Sequence, residues 1–135
     1  MQNLLTYAPL ELSEIYRQVD HPANGAIVVF SGMVRNHSQG RSVAYLDYQA
    51  YEPMALKIFE EIGQQVQQLF PQVQPFAIHH RLGKLAIGEV SVLIAVGSPH
   101  RQAAFAACEY MIDTLKQQAP IWKKEYWQNG DSSWV

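Results

Sequence analysis

The run from Val90 to Val96 reads Val-Ser-Val-Leu-Ile-Ala-Val and is almost wholly apolar. It is far shorter than the roughly 20 residues needed to cross a bilayer. Its length and β-branched content are those of a central strand covered on both faces, so the chain must build a sheet with packing on either side of it. Ser98-Pro99-His100-Arg101 follows after Gly97. Ser98 suits an N-cap and Pro99 a first helical position. The spacing predicts a helix to about Gln118, with Ala104, Cys108, Met111, Ile112 and Leu115 toward the core and Pro120 as its stop.

The rest of the chain fits around that pair. Leu12, Ile15, Tyr16 and Val19 are spaced as the buried stripe of a first helix over Leu10–Val19. Gly25 to Arg35 reads as a strand, with Ala26, Val28, Phe30 and Val34 on one face and Ile27, Val29, Met33 and Arg35 on the other. A polar loop leads to a tyrosine-rich strand over Val43–Tyr51, and the two are expected to pair as a long-looped hairpin. Leu56, Phe59, Ile62, Val66 and Leu69 mark a second helix ending at Pro71. Phe76–Leu82 and Ile121–Trp127 read as strands, with Asn129-Gly130 as a turn into Ser133-Trp134-Val135. The expected order is αββαββαββ, an α+β arrangement in one domain over residues 1–135.

Charge and composition narrow the function. Ten basic and twelve acidic residues give a net charge of -2, which argues against a nucleic-acid protein relying on bulk charge. The single cysteine, Cys108, excludes an intrachain disulfide and, with no signal-like N-terminus and no membrane span, points to the cytoplasm. The five histidines lack metal-ligand spacing, so neither a metal nor a cofactor is expected.

Against this near-neutral background, positive charge gathers in the last third of the chain. His100 and Arg101 stand at a helix N-terminus, where free N–H groups already favour an anion. Lys116 and Lys123 bracket Pro120, and two amines meeting across it could act as acid, base or nucleophile. Arg101 and Lys116 are roughly 22 Å apart along one helix. They cannot share one small ligand within one copy, which points to a symmetric dimer with shared sites.

Four landmarks together resemble the MoaE family, the large catalytic subunit of molybdopterin synthase. They are Gly25-Ala26-Ile27-Val28-Val29-Phe30-Ser31-Gly32-Met33-Val34-Arg35-Asn36, His80-Arg81-Leu82-Gly83, Ser98-Pro99-His100-Arg101, and Leu115-Lys116 through Ala119-Pro120-Ile121-Trp122-Lys123-Lys124-Glu125. The resemblance implies an α/β-hammerhead-type fold and a homodimer that forms a heterotetramer with a small ubiquitin-like sulfur-carrier subunit. The carrier's C-terminal Gly-Gly thiocarboxylate would give sulfur to cyclic pyranopterin monophosphate, forming the dithiolene of molybdopterin. Lys116 and Lys123 would be the catalytic pair. Met33, Val34, Arg35, His100, Arg101, Lys124 and Glu125 would join them around the substrate, with His100 and Arg101 supplied by a second copy. Met33 stands where the family often has lysine, and family members often continue in a basic tail beyond the position of Val135. The other reading of these residues is a non-catalytic dimeric module that binds a phosphorylated metabolite through Arg35, His100 and Arg101.

Overall fold

A computed structural model describes residues 3–135. Its elements run β1 (Leu4–Thr6), α1 (Leu12–Val19), β2 (Ala26–Met33), β3 (His37–Ser38), β4 (Arg41–Ala50), α2 (Glu52–Leu69), β5 (Phe76–Arg81), β6 (Gly83–Ala86), β7 (Val90–Ser98), α3 (Arg101–Gln118), β8 (Ile121–Trp127) and β9 (Ser132–Trp134). The apolar run forms most of β7, inside a four-stranded sheet ordered β1-β5-β7-β2. Side-chain parity divides its residues between two layers. Val92, Ile94 and Val96 join Phe59 and Val66 of α2 and Met111 and Leu115 of α3. Leu93 and Ala95 join Ile15 and Val19 of α1. The expected two-sided cover is therefore supplied by helices on both faces, and the α+β class holds with three helices and mixed sheets.

β2 pairs with β7 and not with β4, so the expected hairpin does not form. The reason lies in the faces. Val28 and Phe30 pack toward α2 and α3, while Ile27 and Val29 pack toward α1. Only the double-covered sheet offers both layers. β4 has one apolar face and belongs to a second sheet ordered β3-β4-β8-β9, in which β6 also pairs with β4. A bulge at Gly32/Met33 breaks the parity of β2, and Val34 enters the second sheet's core with Val43, Leu46, Leu85 and Trp127. The short strands β1, β3 and β6 lack a periodic pattern of their own and were not expected.

Three further expectations are corrected. Ser98 is the last residue of β7, opposite Ala26, and is not the helix cap; α3 begins at Arg101 with His100 as N-cap and no side-chain capping bond. Pro99 accordingly precedes the helix. In α1 only Ile15 and Val19 are buried, and Leu12 and Tyr16 lie in solvent because this two-turn helix touches the sheet along a narrow line. In α2 the buried stripe is Ala55, Phe59, Ile62, Gly63 and Val66, leaving Leu56 and Leu69 exposed. A Cβ on Gly63 would lie 2.6 Å from the Phe76 ring, so close approach to β5, and not side-chain bulk, sets the contact line.

Gly97 is bonded to the segment before β5 and closely approached by the end of α1 and its following loop. Its N–H donates to the Pro75 carbonyl at 2.9 Å, and its carbonyl accepts from Gln74 N–H at 3.0 Å. An added Cβ would lie 2.8 Å from the Val19 carbonyl oxygen and would also collide with the Asn24 amide. Gly97→Ala is expected to cost about 1–3 kcal/mol, the range for overpacking, read as a lower midpoint in chemical unfolding; an unchanged midpoint would contradict this packing.

Candidate active site

The site is built where α3 ends. Ala119 N–H still closes the last turn on Leu115 at 3.0 Å, and Pro120 stops the helix because it has no N–H to continue it. The Pro120 carbonyl accepts from Tyr51 N–H at 3.1 Å, which pins the corner to the end of β4. The chain then runs back as β8, antiparallel to β4, with Ile121 opposite Ala50 and Lys123 opposite Tyr48.

This reversal brings Lys116, in the last helical turn, and Lys123, on the adjoining strand, to one cavity of about 360 Å³. Phe30, Val92, Ile112, Leu115 and Ile121 form its apolar walls, and Tyr48, His80 and Ser91 contribute polar groups. Two ammonium groups beside such walls meet a weaker screening medium than bulk water, so an anion there is held more strongly.

The polar wall is neutral. His80 is buried, and its Nδ1–H donates to the Arg81 carbonyl at 2.8 Å, which leaves the lone pair on Nε2. Burial pushes its pKa down to about 4, against a smaller opposing effect of that hydrogen bond. Its ring meets Tyr48 edge-on, with centroids 5.1 Å apart and planes at 70°. Burial raises the Tyr48 phenol; a hydrogen bond from Ser91 partly offsets this, and the negative charge of Glu125 adds to it. Glu125 shares the face of β8 that carries Lys123. It is 3% exposed, and its Oε1 has no hydrogen-bond partner among the described residues.

The other residues singled out in the sequence lie elsewhere. Lys124 is on the opposite face of β8, with Nζ 5.4 Å from the Tyr126 ring centroid and 5.6 Å from that of Trp134. Met33 is exposed at the end of β2, Val34 is buried in the second core, and Arg35 is exposed just beyond. His100 and Arg101 are exposed at the far end of α3 from Lys116. Cys108 belongs to the main core, where burial pushes its thiol up to about 11 and removes it as a nucleophile. No group of three possible metal ligands occurs among the described residues. Tyr48 and Ser91 are cavity residues that the sequence did not mark. Tyr48 was one of several tyrosines on its strand, and the register that sets it against Lys123 joins segments far apart in the chain. His80 lay in a quoted landmark, yet nothing local tied it to the lysines.

The family model described as MoaE protein matches residues 5–118. The chain belongs to the MoaE family. A molybdopterin synthase catalytic subunit from Nostoc sp. is 57% identical over 131 residues, which are 97% of this chain and 79% of the relative. The Bacillus subtilis protein of that name is 43% identical over 131 residues, 97% of this chain and 82% of its own length. Both alignments span the two lysines. Among solved structures, molybdopterin synthase from Staphylococcus aureus superposes with a TM-score of 0.92 at 40% identity, covering 97% of this chain and 94% of that one. The complex of subunits 1 and 2 of molybdopterin-converting factor from Helicobacter pylori shares the fold, with a TM-score of 0.76 at 24% identity, covering 98% and 89%. The MoaE assignment places the lysine cavity in a catalytic subunit that serves molybdenum cofactor biosynthesis.

His80 gives this MoaE chain a distinct acid response. Above about pH 6.5 the imidazole is neutral whether the chain is folded or not. Between 6.5 and about 4 the unfolded chain takes up a proton that the folded chain refuses. Stability therefore falls on acidification across that window, by up to about 3 kcal/mol, and levels off below it. Unfolding free energies measured from pH 7 to pH 4 should fall less steeply in His80→Asn than in the parent; parallel curves would contradict a buried neutral imidazole.

Proposed function

We propose that this chain catalyses sulfur transfer from the C-terminal thiocarboxylate of a small ubiquitin-like carrier subunit to cyclic pyranopterin monophosphate, generating the dithiolene of molybdopterin. The observation that carries this reading is the convergence of Lys116 and Lys123 on one cavity. The cyclic phosphate and the thiocarboxylate are both anions, and paired ammonium groups on a partly apolar wall serve to attract them and to stabilise charge as it moves. An amine that can give up or accept a proton also suits the opening of the pterin's cyclic phosphate and the departure of oxygen as sulfur enters. A cavity of about 360 Å³ lies within the range typical of small-molecule sites.

The working assembly in this reading is a homodimer carrying one small subunit at each end. β2 is an edge strand of its sheet, and the groove between β2 and α3 is lined by Val28, Val29, Phe105, Ala106 and Ile112, with Phe105 61% exposed. An unpaired strand edge beside a helix face that exposes Phe105 among Gln102, Glu109 and Asp113 suits a second copy. His100 and Arg101 of that copy, with Arg35, would then hold the phosphate that the lysine pair of one chain does not enclose. Met33 would border the completed site at the end of β2, Val34 and Glu125 would support it from the buried layer, and Lys124 would lie on the outer face of β8; each chain would contribute one domain. No described helix is long and apolar enough to cross a membrane, and the reaction is assigned to the cytoplasm.

Supplied with the thiocarboxylated carrier and the cyclic pterin, the protein should form dithiolene product, read as its oxidised fluorescent derivative. Lys116→Ala and Lys123→Ala should each reduce the rate about 100-fold or more, the loss seen when one donor to a developing charge is removed. Near-normal product formation by either variant would refute the role of that lysine. Light scattering should show a dimer, and Phe105→Glu should shift it to monomer; a monomeric parent protein would remove the shared-site arrangement.

A further inference from the structure

Tyr48 sits in the middle of β4 with a strand on each side, Gly83 of β6 and Lys123 of β8 lying across from it. Directly opposed residues in such a ladder carry their side chains on one face, with Cβ atoms about 4.5–5.5 Å apart. Tyr48 therefore enters the cavity beside the Lys123 amine, and both line it together with Lys116. The His80 ring packs edge-on against the phenol and restricts its swing.

The hydroxyl has a neighbour that can switch direction. Ser91 Oγ donates to the Gly32 carbonyl at 3.2 Å, and the same hydroxyl is the hydrogen-bonding neighbour that pulls the Tyr48 phenol down against the effect of burial. A serine hydroxyl carries one proton and two lone pairs. With an anion in the cavity, Tyr48 can turn its proton to it and accept from Ser91, with no movement of the ring. Burial and the charge of Glu125 both keep the phenol protonated, so Tyr48 offers a donor that does not add charge.

Resting on the sulfur-transfer reading, we infer that Tyr48 is a further substrate-contacting residue, donating its hydroxyl proton to the oxygen of the thiocarboxylate held between Lys116 and Lys123. Sulfur is the weaker hydrogen-bond acceptor of the two atoms. Fixing the oxygen leaves the sulfur unencumbered and aims it away from β4, toward the acceptor. The inference covers binding and orientation; no bond is made or broken at Tyr48.

The test uses the full chain, a short peptide ending in a Gly-Gly thiocarboxylate, and inorganic phosphate. Tyr48→Phe keeps the ring and its contact with His80, and removes only the hydroxyl. It should weaken peptide binding about 10-fold, the loss expected for a hydrogen bond to a charged group, and leave phosphate binding unchanged. Ser91→Ala removes the same Tyr48–Ser91 bond but spares the donor, so its loss should be about fivefold smaller. Melting temperatures show whether either variant merely destabilises the fold. Equal losses in the two variants would reduce the bond to a structural one and overturn the inference. So would unchanged peptide binding in Tyr48→Phe, weakened phosphate binding alone, or a parent protein that does not bind the peptide. A parent protein that binds the peptide with the expected Tyr48 dependence, yet makes no dithiolene from the cyclic pterin, would defeat the proposed reaction and leave the Tyr48 contact standing.

Discussion

The antiparallel ladder between β4 and β8 is the constraint on which the site depends. Its register runs from Ala50 opposite Ile121 to Val43 opposite Trp127, and the hydrogen bond from Tyr51 N–H to the Pro120 carbonyl anchors its first rung. Because side chains alternate along a strand, a slip of one residue would exchange the two faces of β8. Trp122 and Lys124 would then face inward, and Lys123 and Glu125 would face outward. Leu46, Leu85 and Trp127 form an apolar core under this sheet that resists such a slip. Packing of the second sheet thus fixes the position of a charge that does no packing of its own.

The cavity owes its character to the company its charges keep. Lys116 is exposed at the helix end and Lys123 is half-buried on the strand, so the pair can meet a ligand arriving from solvent. Behind them, a neutral imidazole and a protonated phenol supply hydrogen-bonding capacity without further charge. The buried Glu125 carboxylate lies deeper on the same strand face and does not line the cavity. This arrangement gathers two positive charges at one cavity of a protein whose formal net charge is -2.

Legibility in the sequence followed how local each feature was. β7 was readable because seven neighbouring residues carry its pattern, and the core face of α3 was readable because Ala104, Cys108, Met111, Ile112 and Leu115 recur at helical spacing. Pro120 announced the reversal that joins the lysines. Strand pairing was not local: β2 and β4 are adjacent in the chain, yet they belong to different sheets, because β2 needs cover on both faces. The same reason hid Tyr48 and Ser91, which reach the cavity from strands of different sheets. Small residues misled in α2, where Ala55 and Gly63 mark the contact line more faithfully than Leu56 and Leu69. Ser98 reads as a cap by type, but the pairing of β7 with β2 extends through it and delays the helix to Arg101.

The central claim is that one cavity, joined across a helix stop, receives the sulfur donor between two amines. The most direct measurement is a crystal structure of the protein with the carrier subunit's thiocarboxylate tail bound. The account predicts that the terminal COS group lies inside the cavity, within hydrogen-bonding distance (about 3 Å) of Nζ of both Lys116 and Lys123. A tail seated on another surface, or one whose end reaches neither amine, would contradict it.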